Sequence, residues 1–443
     1  MNSLINSSNS YELYRSMTLK NSAKNSRAKR CESITKIIII LITIGLIIYI
    51  FIDYNNFNKL ISDELYKKIL NNYDKIYLYS DFIDYLSNYH VFLFFFIIGF
   101  CLWNIYKSFI FILGFFITEL IVFNLKLVFR KEPQIFNIEF DKKILSSKSI
   151  NSICEFTSEY ECPSYRAAYV VYTYMSFICL LFKEKKLRNK KILKLCLKIF
   201  FILICTFINI SLLFLLQNTL GSIIIGSGIG FIFYFFMFRF LKIDYDRSEQ
   251  MISIINFNII YYILINLFII GIILSFYFLF GKDEQDNIKF MNLCGDTYSK
   301  FKEMNLETIF KSLFFFCNFT MIICIKLQKK YIFLSDGIFI SRNFNVEEIT
   351  DENNLTAQIH RNESFKIDTN NIVKYLCKIF ICLGVAFLCY LIYQIIKNSR
   401  GDNYVIMSFM TYLIPTNILI IFLFFFAKWL FIYLDIEVNN YSI

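Results

Sequence analysis

Several cationic side chains lie where apolar segments of the chain end, and their chemistry suits anion binding. Lys126, Arg130 and Lys131 close one apolar segment, and Arg166 opens the next, two residues after Ser164. Arginine grips phosphate in bidentate fashion and lysine binds it as a point charge, so such side chains can converge on one anionic headgroup. A second interpretation stays open, in which these are basic side chains at helix ends that extend to the membrane interface.

The same part of the chain holds one carboxylate and few imidazoles. Glu119 lies inside an apolar segment, where a charge is costly, so it is a functional candidate that we expect to orient the cations. The chain contains two histidines, His90 and His360. A mechanism that needs two imidazoles would therefore have to use that pair. No CxxC pair with metal-ligand spacing appears in the sequence, so we expect no metal ion and no cofactor.

Composition places these residues in a membrane protein. Of the 443 residues, 57% are hydrophobic and 18% are charged, and the mean hydropathy is +0.52. Soluble chains carry about a quarter charged residues, so this chain belongs in lipid. With 3 Pro and 13 Gly, it has few turn residues, and we expect an all-α, multi-pass helical bundle. The net charge of +11 comes from basic loops, which gives no basis for nucleic-acid binding.

Hydropathy also predicts how the chain is divided. A span needs about 20 apolar residues to cross roughly 30 Å of hydrocarbon. The sequence predicts about ten spans, at 36–52, 90–106, 108–129, 166–182, 196–216, 221–241, 253–280, 308–325, 373–396 and 404–432. We expect a cytosolic basic tail (1–35), a six-span core (36–248) and a four-span C-terminal membrane extension (249–443).

Basic loops predict the orientation of these spans, because short loops rich in Lys and Arg stay in the cytosol. The tail before the first span and the loop at 183–194 are both strongly basic. Both indicate a cytosolic N-terminus, and the loops at 130–166 and 217–222 then face the lumen. The loop at 326–372 is cytosolic by this count, although it contains glycosylation sequons at Asn354 and Asn362.

Three stretches of the predicted core read ITELIVFNLKLVFRKEP, ECPSYRAAY and SLLFLLQNTLGSIIIGSGIG. Their order and spacing resemble the phosphatidic-acid-phosphatase type 2 superfamily, and most closely the dolichyl diphosphatases. The resemblance covers roughly residues 90–241. The residues that match the family in order and spacing are Glu119, Lys126, Pro163, Ser164, Ser211, Gly226 and Gly230.

The resemblance implies a lipid-phosphate site at the lumenal end of the core. In that family a cationic cradle holds the phosphate, one histidine attacks phosphorus and a second protonates the leaving oxygen. This chain departs from the pattern at several positions. Pro133 follows Lys126 one residue early, Arg166 replaces the acid, Leu212 replaces a phosphate-binding arginine, and Asn218 replaces the nucleophile. An Asn amide has no lone pair basic enough to attack phosphorus, so the covalent route is lost.

The sequence therefore predicts a degenerate dolichyl-diphosphatase-like protein of the endoplasmic reticulum or another endomembrane. We expect it to bind a lipid phosphate or diphosphate, either dolichyl or phospholipid, at the lumenal face without efficient hydrolysis. The residues expected to bind the phosphate are Lys126, Arg130, Lys131, Ser164 and Arg166. One alternative is an active lipid phosphatase with an atypical site. Another is a membrane carrier or a subunit that binds a membrane-protein partner, although Glu119 is the main charge predicted inside the spans.

Overall fold

The structure is a computed structural model. It describes residues 34–35, 37–50, 52–53, 68–69, 79–87, 89–102, 105–129, 161–183, 191–215, 218–240, 259–280, 317–327, 369–398 and 404–434. Within these ranges the chain forms helices and no strand, which confirms the all-α prediction for them.

The helices are numbered in chain order, and each predicted span overlaps at least one of them. They are α1 (Ile37–Ile50), α2 (Ser80–Ser87), α3 (Tyr89–Leu102), α4 (Ile105–Phe129), α5 (Tyr165–Lys183), α6 (Lys191–Phe214), α7 (Leu220–Phe235), α8 (Ile259–Phe280), α9 (Cys317–Leu327), α10 (Thr369–Asn398), α11 (Tyr404–Ile421) and α12 (Ala427–Tyr433). A π-helical turn, Phe236–Phe240, extends α7, and another, Phe422–Phe426, joins α11 to α12.

The chain divides into two compact units. The first, Met1–Phe57, contains α1. The second, Asn58–Ile443, contains the other helices and all the matched motif residues.

Helix α5 is the central helix of the second unit. It packs against α2, α3, α4, α6 and α7. Its side chains are buried on every face, and Tyr172 and Leu180 are fully buried. A helix enclosed in this way contacts protein rather than lipid, so it tolerates the tyrosine, threonine and serine side chains that its sequence contains.

Four helical segments are long and apolar enough to cross a membrane by length and composition. They are Lys107–Phe129 of α4, Leu195–Phe214 of α6, Leu220–Phe238 of α7 and Val373–Ile396 of α10. Helices α6 and α10 turn large apolar side chains outward, including Leu203, Phe207 and Phe380. Such an apolar outer surface suits contact with lipid.

Two glycines bring α7 close to α5. A Cβ built on Gly226 would lie 3.0 Å from the carbonyl carbon of Ser164 and closer still to its oxygen. A Cβ built on Gly230 would meet the backbone of Ala168 in the same way. The four-residue spacing of these glycines, one helical turn, therefore lets two backbones approach where a side chain would keep them apart.

Candidate functional site

The second and third motif stretches are joined by hydrogen bonds. The Ser164 N–H donates to the Ser222 carbonyl over 3.1 Å, and the Ser222 hydroxyl donates to the Glu161 carbonyl over 2.7 Å. The Thr219 N–H donates to the Glu161 carboxylate. The segment before α5 is therefore fixed to the first turn of α7, and this brings two of the three stretches together.

The Glu161 carboxylate occupies a position that suits an anion. Thr219 is the N-cap residue of α7, and its backbone N–H is one of the donors that a helix start presents. A carboxylate is stabilised there by the helix dipole as well as by the hydrogen bond. The side chain is 5% exposed, so this contact lies inside the protein. Sequence reasoning missed Glu161, because its partner lies 58 residues away along the chain.

Two cations meet at the ring of Tyr165. Lys126 Nζ lies 4.6 Å from the ring centroid and Arg166 Cζ lies 5.5 Å from it. Arg166 Nε also donates to the Tyr165 hydroxyl over 2.9 Å. Lys126 and Arg166 are 2% and 6% exposed. Lys126 lies in the last turn of α4 and Arg166 in the first turn of α5, so the first motif stretch meets the second at this ring, which we call the Tyr165 cluster.

Glu119 lies two turns before Lys126 on α4, at about 10 Å along the helix axis. Its carboxylate lies near the Tyr169 hydroxyl of α5, and the residue is 6% exposed. The rings of Tyr169 and Tyr165 meet edge to face, 5.4 Å apart. Polar groups thus continue from the Tyr165 cluster along the contact between α4 and α5 to a buried carboxylate.

Ser164 has a structural position in this arrangement. Its hydroxyl accepts a hydrogen bond from the Ala167 N–H at 3.3 Å, so it caps the start of α5, and the residue is fully buried. The Cys162–Pro163 peptide bond, just upstream of Ser164, is cis. The predicted contact between Ser164 and phosphate remains a prediction, since the cap alone accounts for the position of the hydroxyl.

The third motif stretch has no charged side chain that it could contribute to the site. Leu212, where the resemblance implies a phosphate-binding arginine, is fully buried in an apolar cluster. The Ser211 hydroxyl donates to the Phe207 carbonyl of its own helix over 2.8 Å. The Asn218 Oδ1 atom lies 3.4 Å from the Ser222 hydroxyl, whose hydrogen is donated to the closer Glu161 carbonyl. The other members of the Leu212 cluster are Ile83, Ala167, Leu215 and Ile223.

Some predicted residues lie outside the part of the chain that the structure describes. These are Arg130, Lys131, Pro133 and His360. His90 lies in the first turn of α3. Among the described residues, no group of three or more His, Cys, Asp and Glu side chains is placed to hold a metal ion.

Comparison of the chain with known protein families, curated proteins and solved structures finds no significant match.

Proposed function

We propose that the Tyr165 cluster binds the phosphate of an anionic membrane lipid, a phospholipid or a dolichyl phosphate, and does not hydrolyse it efficiently. The observation that supports this proposal most strongly is that Lys126 and Arg166, from two different helices, lie against one aromatic ring. Their charged groups are at most about 10 Å apart, the sum of the two distances to the ring centroid. Two like charges at that distance repel each other by about 1.7 kcal/mol at an effective dielectric constant of 20. An anion bound near the ring is attracted by both cations and would offset this repulsion.

The location of the cluster supports a lipid ligand. Lys126 and Arg166 lie at helix ends, and the helix of Lys126 is one of those able to cross a membrane. Helix ends in a bilayer lie near the level of the lipid headgroups. The N-terminus of α5 adds a favourable dipole for an anion beside Arg166. A phosphate attached to a lipid tail could therefore reach the cluster from the surrounding leaflet.

The replaced motif residues support binding without efficient turnover. The family resemblance implies a nucleophilic histidine where Asn218 stands and an acidic histidine where Arg166 stands. Loss of one member of a cooperating catalytic group costs about 10⁴- to 10⁶-fold in rate. The apolar packing of Leu212 removes a third expected contact with phosphate. Release of inorganic phosphate from dolichyl diphosphate by the purified protein would instead favour an active enzyme.

The same proposal includes a location and a topology. Ten spans, a cytosolic N-terminus and a lumenal Tyr165 cluster in an endomembrane agree with the basic tail and with the basic loop at 183–194. A glycosylation sequon engineered into the loop at 130–160 tests this orientation. We expect it to be glycosylated in cells, and an unmodified product would contradict a lumenal cluster.

Native mass spectrometry of the full-length protein tests lipid binding. We expect retention of phosphatidic acid and dolichyl phosphate over phosphatidylcholine, and we expect Arg166→Ala to reduce it. Lys107→Ala is a matched control, because Lys107 is also buried on α4 but lies near its other end. Equal retention of all three lipids, or equal loss in both variants, would contradict the proposal.

A further inference from the structure

Two cysteines from distant parts of the chain meet in the interior of the second unit. The Sγ atoms of Cys101, near the end of α3, and Cys382, in α10, are 3.9 Å apart. Cys101 is 6% exposed and Cys382 is fully buried. The two residues are 281 positions apart in the sequence, so the contact joins the predicted six-span core to the C-terminal extension.

Among the residues that the structure describes, the pair belongs to a large apolar cluster, and the cation Lys378 lies near Cys382. Phe100, next to Cys101, packs edge to face on Phe424, with ring centroids 5.8 Å apart. Lys378 precedes Cys382 by one helical turn and is 5% exposed. Its Nζ lies 5.1 Å from the centroid of the Phe431 ring. A thiolate formed at Cys382 would have this buried ammonium as a nearby counter-charge on the same face of α10.

We propose that Cys101 and Cys382 are a redox-active thiol pair that lipid-soluble hydroperoxides oxidise to a disulfide. One thiolate attacks the distal peroxide oxygen, the O–O bond breaks, and an alcohol leaves after it takes up a proton. The resulting sulfenic acid is attacked by the second thiolate, and water leaves as the S–S bond forms. Two thiols and one hydroperoxide thus give one disulfide, one alcohol and one water.

The geometry requires only a small movement. A disulfide has an S–S distance near 2.05 Å, so the two sulfur atoms must approach by about 1.9 Å. A change of side-chain rotamer moves a sulfur atom by a comparable distance. The apolar cluster around the pair favours an apolar oxidant, because an apolar molecule partitions into such surroundings more readily than an aqueous one. The product would join α3 to α10 covalently.

Peptide mass spectrometry of the full-length protein in its membranes tests this inference. Membranes are treated with cumene hydroperoxide, remaining thiols are alkylated, and the protein is digested without reduction. We expect a peptide pair linked through Cys101 and Cys382, which disappears when a membrane-permeant phosphine is added. Cys101→Ala and Cys382→Ala should each abolish it. Cys205→Ala is the matched control and should leave it unchanged, because the Cys205 Sγ faces the Val170 carbonyl.

The rate of linkage tests the role of the cation. We expect Lys378→Met to slow linkage several-fold while the protein elutes from gel filtration as the wild type does. A well-folded protein that forms no Cys101–Cys382 linkage, or that oxidises one of these cysteines to the sulfinic acid without linkage, would overturn the inference. Linkage at an unchanged rate in the Lys378→Met variant would overturn the assignment of the ammonium as the counter-charge.

Discussion

The close approach of α5 and α7 predicts that Gly226→Ala destabilises the protein. The new Cβ would lie 3.2 Å from the Ser164 backbone nitrogen and 3.0 Å from the Ser164 carbonyl carbon, and closer still to the Ser164 carbonyl oxygen. These are backbone atoms, so the overlap cannot be relieved by rotation of a side chain. Helix α7 would have to move away from the segment that Ser164 fixes to Ser222. Overpacking of this kind costs about 1 to 3 kcal/mol.

A second glycine gives the matched control. A Cβ on Gly271 of α8 would meet no atom within 4 Å. Alanine is favoured over glycine in a helix by up to about 1 kcal/mol, so Gly271→Ala should be neutral or stabilising. Thermal unfolding of the purified full-length protein measures both variants. If Gly226→Ala is as stable as Gly271→Ala, the two backbones do not approach as described, and the placement of Ser164 against α7 is wrong.

Two further substitutions test the packing around the site. Ser222→Ala should lower the free energy of unfolding by about 1 kcal/mol, because it removes the hydrogen bond to the Glu161 carbonyl. Ser275→Ala is the control and should change the free energy of unfolding little, because the Ser275 hydroxyl is exposed and bonds within its own helix. Equal effects of the two substitutions on thermal unfolding would contradict this prediction. Leu212→Arg should lower the free energy of unfolding by about 3 kcal/mol or more and reduce the yield of folded protein, since it buries a charge in an apolar cluster. Leu212→Met keeps the side chain apolar and should lower the free energy of unfolding by less than about 1.5 kcal/mol. A stable Leu212→Arg protein that gained phosphate affinity would mean that the position still faces the site.

The sequence predicted much of the helical architecture because hydropathy and helix length are local properties. The segment 108–129 was expected to be a span, and α4 runs from Ile105 to Phe129. The segment 166–182 coincides with α5, but its enclosure by other helices was not predictable. Apolar character alone does not distinguish a surface that faces lipid from one that faces protein.

The sequence predicts only those features of the site that depend on residues close together in the chain. The four-residue spacing of Gly226 and Gly230 is typical of a close helix crossing, and the structure shows one. The sequence predicts that Lys126 and Arg166 can converge, and the structure brings both to the Tyr165 ring, which no local pattern indicates. The contact of Glu161 with Thr219 depends on two segments whose separation no local pattern encodes. The chemical role of these residues stays a prediction.

A double-mutant cycle on lipid affinity tests the central proposal most directly. Binding of phosphatidic acid is measured for the wild type, Lys126→Ala, Arg166→Ala and the double variant, in nanodiscs at fixed salt. If both cations hold one phosphate at the Tyr165 cluster, each single change should weaken binding and the two effects should not add, with a coupling energy of about 0.5 to 3 kcal/mol. Affinities that do not respond to either change, or two losses that simply add, would contradict a shared phosphate site.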